Sequence, residues 1–152
     1  MKIMDFLSPE AVIVNLKATD KKAAIVELVE TLKTTKDVKN TEEIIDVVLE
    51  REKLGSTGIG QGVAIPHGKT DVLDEQVGVL GISHKGIEFN SLDGEPVNII
   101  FLLVGPLEAS GQHLKALSKI SRLFKDKFLR QAIREASTAE VVVKIIQQED
   151  AY

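Results

Sequence analysis

The sequence has no cysteine and no tryptophan, and only one tyrosine and five phenylalanines among its 152 residues. The absence of cysteine excludes disulfide bonds, thiolate metal sites and a cysteine nucleophile. Scarce aromatic side chains leave little surface on which nucleic-acid bases could stack, and a net charge of −4 does not attract a phosphate backbone. We therefore expect no nucleic acid among the partners.

Long apolar runs are also missing. None approaches the roughly 20 residues that a bilayer-spanning helix needs, and the first ten residues lack the apolar stretch of a signal peptide. A hydrophobic content of 43 % with 28 % charged residues is typical of a soluble globular protein. We expect a cytoplasmic protein without direct membrane insertion, monomeric by default, whose residues 1–152 form a single domain.

Strand patterns and helix patterns alternate along the chain. Residues 97–104 (VNIIFLLV) form the most apolar run, which suits a central strand buried on both faces. Shorter strands are predicted at residues 12–16, 63–65 and 76–83, with residues 86–89 as a hairpin partner. Together with the helices between them, these strands predict an α/β sandwich.

Helix starts are predicted from residues whose side chains can cap the first turn. These residues are Thr19 or Asp20, Asn40 or Thr41, and Ser110. Residues 33–39 are polar and predict a loop, residues 128–134 predict a short helix, and residues 137–140 (STAE) predict a capping box before the last helix. The helix after Ser110 should bury one stripe, made of Leu114, Leu117, Ile120 (or Ser121) and Phe124.

The main candidates for a functional site lie in residues 51–69, REKLGSTGIGQGVAIPHGK. Four glycines break its first part into turns. The apolar run that follows ends at Pro66, which has no amide hydrogen for a sheet ladder, so a strand should stop or become an edge there. His67 is then presented at a strand end, and Gly68 should leave backbone space beside the imidazole.

Two further residues are placed near this stretch by helix ends. Arg51 lies one turn before Gly55, where the preceding helix should end, so its guanidinium could reach over the glycine loop. With Ser110 as N-cap, His113 falls at the third helical position. The helix dipole there should lower the pKa of His113 and keep it neutral, so that one ring nitrogen can donate a hydrogen bond.

Other motifs fail on spacing. A nucleotide-hydrolase phosphate loop needs four residues between its glycines, whereas Gly62 and Gly68 enclose five, and Pro66 removes one amide. A dinucleotide-binding motif would need a third glycine at Val63. The three histidines lack the paired helical spacing of a metal site, and no Gly-x-Ser-x-Gly elbow is present. Nucleophilic chemistry at His67 remains, with amides, a guanidinium and a helix N-terminus to neutralise a phosphoryl group.

Residues 51–60 and 63–69 resemble the active-site signature of enzyme IIA domains of the bacterial phosphoenolpyruvate-dependent sugar phosphotransferase system, in the fructose, mannitol and nitrogen-regulatory class. Residues 91–98 (SLDGEPVN) and 113–118 (HLKALS) match it as well, and the resemblance extends from about residue 7 to residue 146. It implies a phosphotransferase with a mixed β-sheet flanked by α-helices. His67 would accept a phosphoryl group from the histidine-containing phosphocarrier protein and pass it to a cysteine of a IIB domain.

The resemblance also implies the assisting residues, Arg51 and His113. It implies no metal and no nucleotide cofactor, only the covalent phosphoryl group on His67. Ser56, Thr57 and Gly68 are weaker candidates for phosphate binding, and the two hydroxyl groups could equally bond the turn itself. His84 is expected to be a surface turn residue and Lys69 a solvated charge.

Two roles within this class stay open. The domain either serves uptake of a fructose-type or mannitol-type sugar, or acts as a nitrogen-type regulator whose phosphorylation state controls binding to a target protein. Residues 55–60 (GSTGIG) favour the nitrogen branch, whereas residues 91–94 and 113–118 favour the fructose branch.

Overall fold

A mixed β-sheet with helices packed against it organises residues 1–151, the part of the chain that the computed structural model describes. Its strands are β1 (Val12–Ile13), β2 (Gly58–Gly60), β3 (Val63–Ala64), β4 (His67–Lys69), β5 (Val77–Ile87) and β6 (Val97–Gly105). The α-helices are α1 (Lys21–Glu30), α2 (Leu32–Thr35), α3 (Thr41–Leu54), α4 (Ser110–Leu123), α5 (Lys127–Glu135) and α6 (Ala139–Asp150). The predicted α/β fold with a mixed sheet flanked by helices is confirmed.

Strand β6 is the centre of the sheet. It pairs antiparallel with β5 on one side and parallel with β3 and β4 on the other. Strand β1 extends the sheet beyond β5, and β2 extends it beyond β3. Every residue of β6 except Asn98 is buried, as predicted for a strand covered on both faces. Its carboxyl end lies between β4 and the first residues of β5.

Two strand predictions differ from the structure. Strand β1 has two residues instead of the five predicted at 12–16, because residues 14 and 15 leave the ladder with β5 before the Leu16 amide bonds the Ile82 carbonyl. Residues 86–89 do not form a hairpin partner, since β5 continues to Ile87, which pairs with Val97. Gly86 has a positive φ of 82°, and this left-handed residue bends β5 instead of reversing it.

The predicted starts of α1 and α3 are confirmed. The Asp20 carboxylate caps α1 by accepting a hydrogen bond from a first-turn amide at 2.8 Å, and the Asn40 side chain caps α3 in the same way at 3.3 Å. The loop predicted at residues 33–39 is shorter, because α2 occupies its first residues. Buried Leu32 anchors this extra helical turn to the core.

Helix α4 begins one residue earlier than predicted. Ala109 is its N-cap, so Ser110 is the first helical residue and not the cap. Leu114 is 65 % exposed, and its predicted inward position is wrong. The inward face of a helix repeats every three to four residues, and the face that contains His113 excludes the residue next to it. The buried residues of α4 are His113, Ala116 and Ile120.

The last two helices support the prediction in part. Helix α5 covers the short helix predicted at 128–134. Helix α6 is capped by Thr138 alone, whose hydroxyl accepts from the Val141 amide at 3.3 Å. The capping box predicted at 137–140 is wrong, because Glu140 is then the second helical residue and a box requires the third.

Apolar side chains from both faces of the sheet and from the helices form one continuous core. Against this core, α3 packs on β4, and α4 follows directly from the carboxyl end of β6. Within residues 1–151, no helix has the length and apolar character needed to cross a membrane.

Candidate active site

His67 is the first residue of β4, where it lies opposite Leu103 of β6. Its Nδ1 is 2.8 Å from the Ile65 carbonyl oxygen, so Nδ1 carries the proton and donates it there, while Nε2 keeps its lone pair. The ring is partly exposed. A strand stops before Pro66, as predicted, because β3 ends at Ala64. His67 begins the next strand and does not end one, because the Pro66 carbonyl accepts from the Leu103 amide and pairing with β6 resumes after the proline.

His113 lies beside this imidazole. The two ring centroids are 5.9 Å apart and the rings are inclined by 54°. His113 is 5 % exposed, and its Nδ1 is 2.9 Å from Oε1 of Gln76. Its Nε2 is buried and has no hydrogen-bond partner among residues 1–151. The fold thus brings two histidines, 46 positions apart in the chain, to one site, and each has one unbonded ring nitrogen.

Both imidazoles are less basic than a free histidine. Burial lowers the pKa of His113 to about 4, and the neighbouring His67 and Lys69 act in the same direction. Burial also lowers the pKa of His67, with Arg51 adding to the effect, while the Ile65 carbonyl opposes it. The predicted direction for His113 is therefore confirmed. Its main cause is burial and not the helix dipole: His113 is the fourth helical residue, and its amide already bonds the Ala109 carbonyl.

Arg51 reaches the start of the glycine loop, as its position in the last turn of α3 predicts. Its Nη1 donates to the Gly55 carbonyl at 2.8 Å, and its charge acts on His67. The guanidinium is partly exposed, so its remaining N–H groups can bind a phosphoryl oxygen.

The weaker phosphate-binding candidates are engaged in fixing the loop. The Ser56 hydroxyl donates to the Phe89 carbonyl and accepts from the Gly58 amide. The Thr57 hydroxyl and amide both donate to the Glu52 carboxylate. Only the Gly58–Ser56 bond lies within the turn, and the others hold it to α3 and to Phe89; a role of these hydroxyl groups in phosphate binding stays a prediction.

Gly68 serves helix packing. A Cβ at this position would lie 2.6 Å from Cγ1 of Val47, so the glycine lets α3 approach β4 closely. The space that Gly68 leaves is occupied by α3, and the predicted space beside the imidazole stays a prediction. His84 lies on the exposed part of β5 and not in a turn, with its Nε2 2.9 Å from the Val14 carbonyl. The Lys69 ammonium donates to the Ser110 hydroxyl at 3.0 Å.

Two residues near the site were missed by sequence reasoning. Glu52 is buried and pairs with Lys21 of α1 at 3.0 Å, and its position between two basic residues of the signature gave no sign of burial. Gln76 bonds His113 from the residue before β5, where a lone amide carries no motif. Within residues 1–151, no three His, Asp or Glu side chains gather as metal ligands.

This fold and site agree with one family of proteins. Residues 5–149 match the family described as phosphoenolpyruvate-dependent sugar phosphotransferase system, EIIA 2, and the chain belongs to this family. The resemblance seen in the sequence is thereby confirmed.

Similar proteins include members of both branches. A nitrogen regulatory protein of Bradyrhizobium diazoefficiens is 38 % identical over 146 residues, which are 96 % of this chain and 95 % of the relative. The fructose-specific EIIABC component of Bacillus subtilis is 33 % identical over 150 residues, which are 99 % of this chain and 24 % of that longer protein.

Solved structures agree in fold. The nitrogen regulatory protein IIA-Ntr from Neisseria meningitidis is 33 % identical with a TM-score of 0.88, covering 95 % of this chain and 98 % of that one. Enzyme IIA mannitol of Escherichia coli, solved in a complex with phosphorylated enzyme IIB mannitol, is 19 % identical with a TM-score of 0.80, covering 93 % of this chain and 96 % of that one.

Proposed function

We propose that this chain is a phosphoryl carrier that accepts a phosphoryl group on Nε2 of His67 from the histidine-containing phosphocarrier protein and passes it to a cysteine of a IIB domain. One observation carries the proposal: the Ile65 carbonyl holds the proton on Nδ1, so Nε2 has a free lone pair beside a second neutral imidazole. A nucleophile of this kind divides a difficult transfer into two easier ones.

The transfer replaces one N–P bond with another. The Nε2 lone pair of His67 forms the new N–P bond, while the N–P bond of the donor breaks and leaves its electron pair on the donor nitrogen. The proton on Nδ1 stays on its bond to Ile65. The phosphorylated ring then carries positive charge, which makes it a good leaving group when a cysteine thiolate attacks phosphorus.

Arg51 and His113 are the proposed donors to the phosphoryl oxygens. Arg51 supplies charge through N–H groups that its bond to Gly55 leaves free. His113 is kept neutral by burial, so it can donate one hydrogen bond without adding a charge that would repel the phosphorylated ring. The reaction needs charge neutralisation and in-line positioning, and no metal or nucleotide is assigned to it.

The test is the intact mass of the protein after incubation with phosphoenolpyruvate, enzyme I and the phosphocarrier protein. We expect an acid-labile gain of about 80 Da, the mass of one phosphoryl group, in the wild type. His67→Ala is the control, and a gain of the same size in this variant would contradict the assignment of His67. No gain in either protein would contradict the carrier role.

A second candidate role is regulatory, and the nitrogen regulatory relatives at 38 % and 33 % identity favour it. In this role the phosphorylation state of His67 decides which target protein binds. Transfer of labelled phosphate from the phosphorylated chain to the cysteine of a fructose-type IIB domain would support transport. A stable phosphoprotein that does not react with IIB, and whose binding to a target depends on His67, would support regulation.

A further inference from the structure

Gln76 occupies a space made for its amide at the carboxyl end of β6. The amide lies against Gly105, where a Cβ would overlap it. Gly105 is not one of the glycines with a positive φ. The lack of a side chain at this position therefore lets the Gln76 amide come close to the backbone, and no special backbone conformation requires it. The amide contacts Nδ1 of His113 at 2.9 Å, which makes Gln76 the side chain that fixes this end of the imidazole.

The orientation of this amide determines which ring nitrogen of His113 carries the proton, and so whether His113 Nε2 can donate a hydrogen bond. A neutral imidazole has one N–H and one lone pair. With Oε1 of Gln76 facing Nδ1, the proton sits on Nδ1 and Nε2 presents a lone pair. A phosphoryl oxygen on His67 also presents lone pairs, so this tautomer would repel it. His113 can donate toward the phosphoryl group only if its proton is on Nε2.

Two unbonded atoms indicate how the second tautomer arises. Nε2 of Gln76 is buried without a hydrogen-bond partner among residues 1–151, and so is Nε2 of His113. Rotation of the amide by half a turn directs a Gln76 N–H at Nδ1 of His113. This rotation leaves the Gln76 carbonyl oxygen without a donor, where before it the Gln76 N–H had no acceptor. Buried N–H groups without an acceptor are rarer than buried carbonyl oxygens without a donor, so the rotated amide is the more common kind of arrangement. The His113 proton then moves from Nδ1 to Nε2 by exchange with solvent, without a change in charge.

We propose that Gln76 is a positioning residue that sets the tautomer of His113: its amide donates to Nδ1 when His67 is phosphorylated, and His113 then donates Nε2–H to the phosphoryl group. This inference deepens the proposed function and depends on it. Gln76 itself does not touch the reacting atoms.

The direct test is nitrogen NMR of uniformly ¹⁵N-labelled protein. His67 is phosphorylated with phosphoramidate, a small donor that needs no partner protein. In the wild type we expect the His113 ring in the Nε2–H form, and a ¹⁵N–¹⁵N coupling across the hydrogen bond from the Gln76 side chain to His113 Nδ1. A protonated Nδ1 in the phosphorylated wild type, or the absence of this coupling, would overturn the proposal.

Two variants separate this role from simple packing. Gln76→Glu places a carboxylate that can only accept, so we expect Nδ1 of His113 to stay protonated after phosphorylation. Gln76→Met keeps the shape and removes the bond, and should slow acceptance from phosphoramidate about tenfold, the effect of one hydrogen bond. Gln112→Met is the matched control, because Gln112 is an exposed amide one residue before His113. This variant should react at the wild-type rate. Unprotonated Nδ1 in Gln76→Glu, or wild-type rates in Gln76→Met, would count against the proposal.

The two proposals fail in different ways. If phosphoramidate modifies His67 but the phosphocarrier protein does not, the carrier role is wrong and the tautomer experiment still decides the role of Gln76. If phosphoramidate does not modify His67 at all, the site holds no phosphoryl group and the tautomer proposal is overturned with it.

Discussion

Among single residues, His113 is the histidine whose pKa the fold shifts most. Its pKa is lowered from 6.5 to about 4, first by burial. Between these two values the unfolded chain binds a proton that the native chain does not. The stability that neutral His113 contributes is therefore complete above pH 6.5 and is lost as the pH falls toward 4, and this linkage amounts to about 3 kcal/mol.

We expect the free energy of unfolding, measured with urea across this range of pH, to fall more steeply with acid in the wild type than in His113→Gln. The difference between the two curves should reach about 3 kcal/mol at the acid end. Titrating groups away from the site act on both proteins alike, so the comparison isolates His113 together with its coupling to His67. Parallel curves would mean that His113 is protonated as readily in the native state as in the unfolded one.

Between elements, the buried carboxylate of Glu52 connects three segments. It lies in α3, pairs with Lys21 of α1 at 3.0 Å, and accepts the amide and hydroxyl of Thr57 at the start of the glycine loop. Its side chain is 5 % exposed. Removal of this carboxylate would leave the Lys21 ammonium and two Thr57 donors without an acceptor, which is more damaging than the loss of a surface pair.

Glu52→Ala should therefore lower the free energy of unfolding by about 3 kcal/mol, as expected when one partner of a buried pair is removed. Glu50→Ala is a matched control from the same helix, because Glu50 pairs with Lys53 on the surface, and it should change stability by about 0.5 kcal/mol or less. Chemical denaturation of both variants measures the difference. Similar losses in the two would contradict the connecting role of Glu52.

Elements that depend on nearby residues were predictable from the sequence. Asp20 and Asn40 cap their helices through amides only three residues away, and β6 is apolar enough to require burial wherever it lies. The exposure of Leu114 was not predictable in this way, because it depends on how α4 is rotated against the sheet.

The site, too, has a part that follows from neighbouring residues and a part that depends on distant ones. His67 and Arg51 lie in one continuous stretch, so their placement at one site could be predicted from spacing and from the family signature. Gln76 meets His113 across 37 positions, and only the pairing of β5 with β6 brings that amide to the end of the sheet. The role of Gln76 therefore had no local signal.

For the molecule as a whole, we expect a partner protein to contact exposed apolar side chains on the segments that carry the site. Leu54, Ile59 and Leu114 are all exposed. They lie at the end of α3, in β2 and next to His113 along the chain. Under the proposed function we expect them to form a small apolar rim on the surface that the partner protein contacts. Such a rim suits a transient contact, in which each partner leaves after transfer.

Leu114→Asp tests this rim, because Leu114 already lies in solvent and its replacement should leave folding within about 0.5 kcal/mol of wild type. We expect acceptance from the phosphocarrier protein to weaken about tenfold, since an exposed anchor would be lost from the contact, while phosphoramidate should modify His67 at the wild-type rate. Phe128→Asp on α5, also an exposed apolar position, is the control and should react normally with both donors. Equal effects of the two substitutions, or slower reaction of Leu114→Asp with phosphoramidate, would place the docking surface elsewhere.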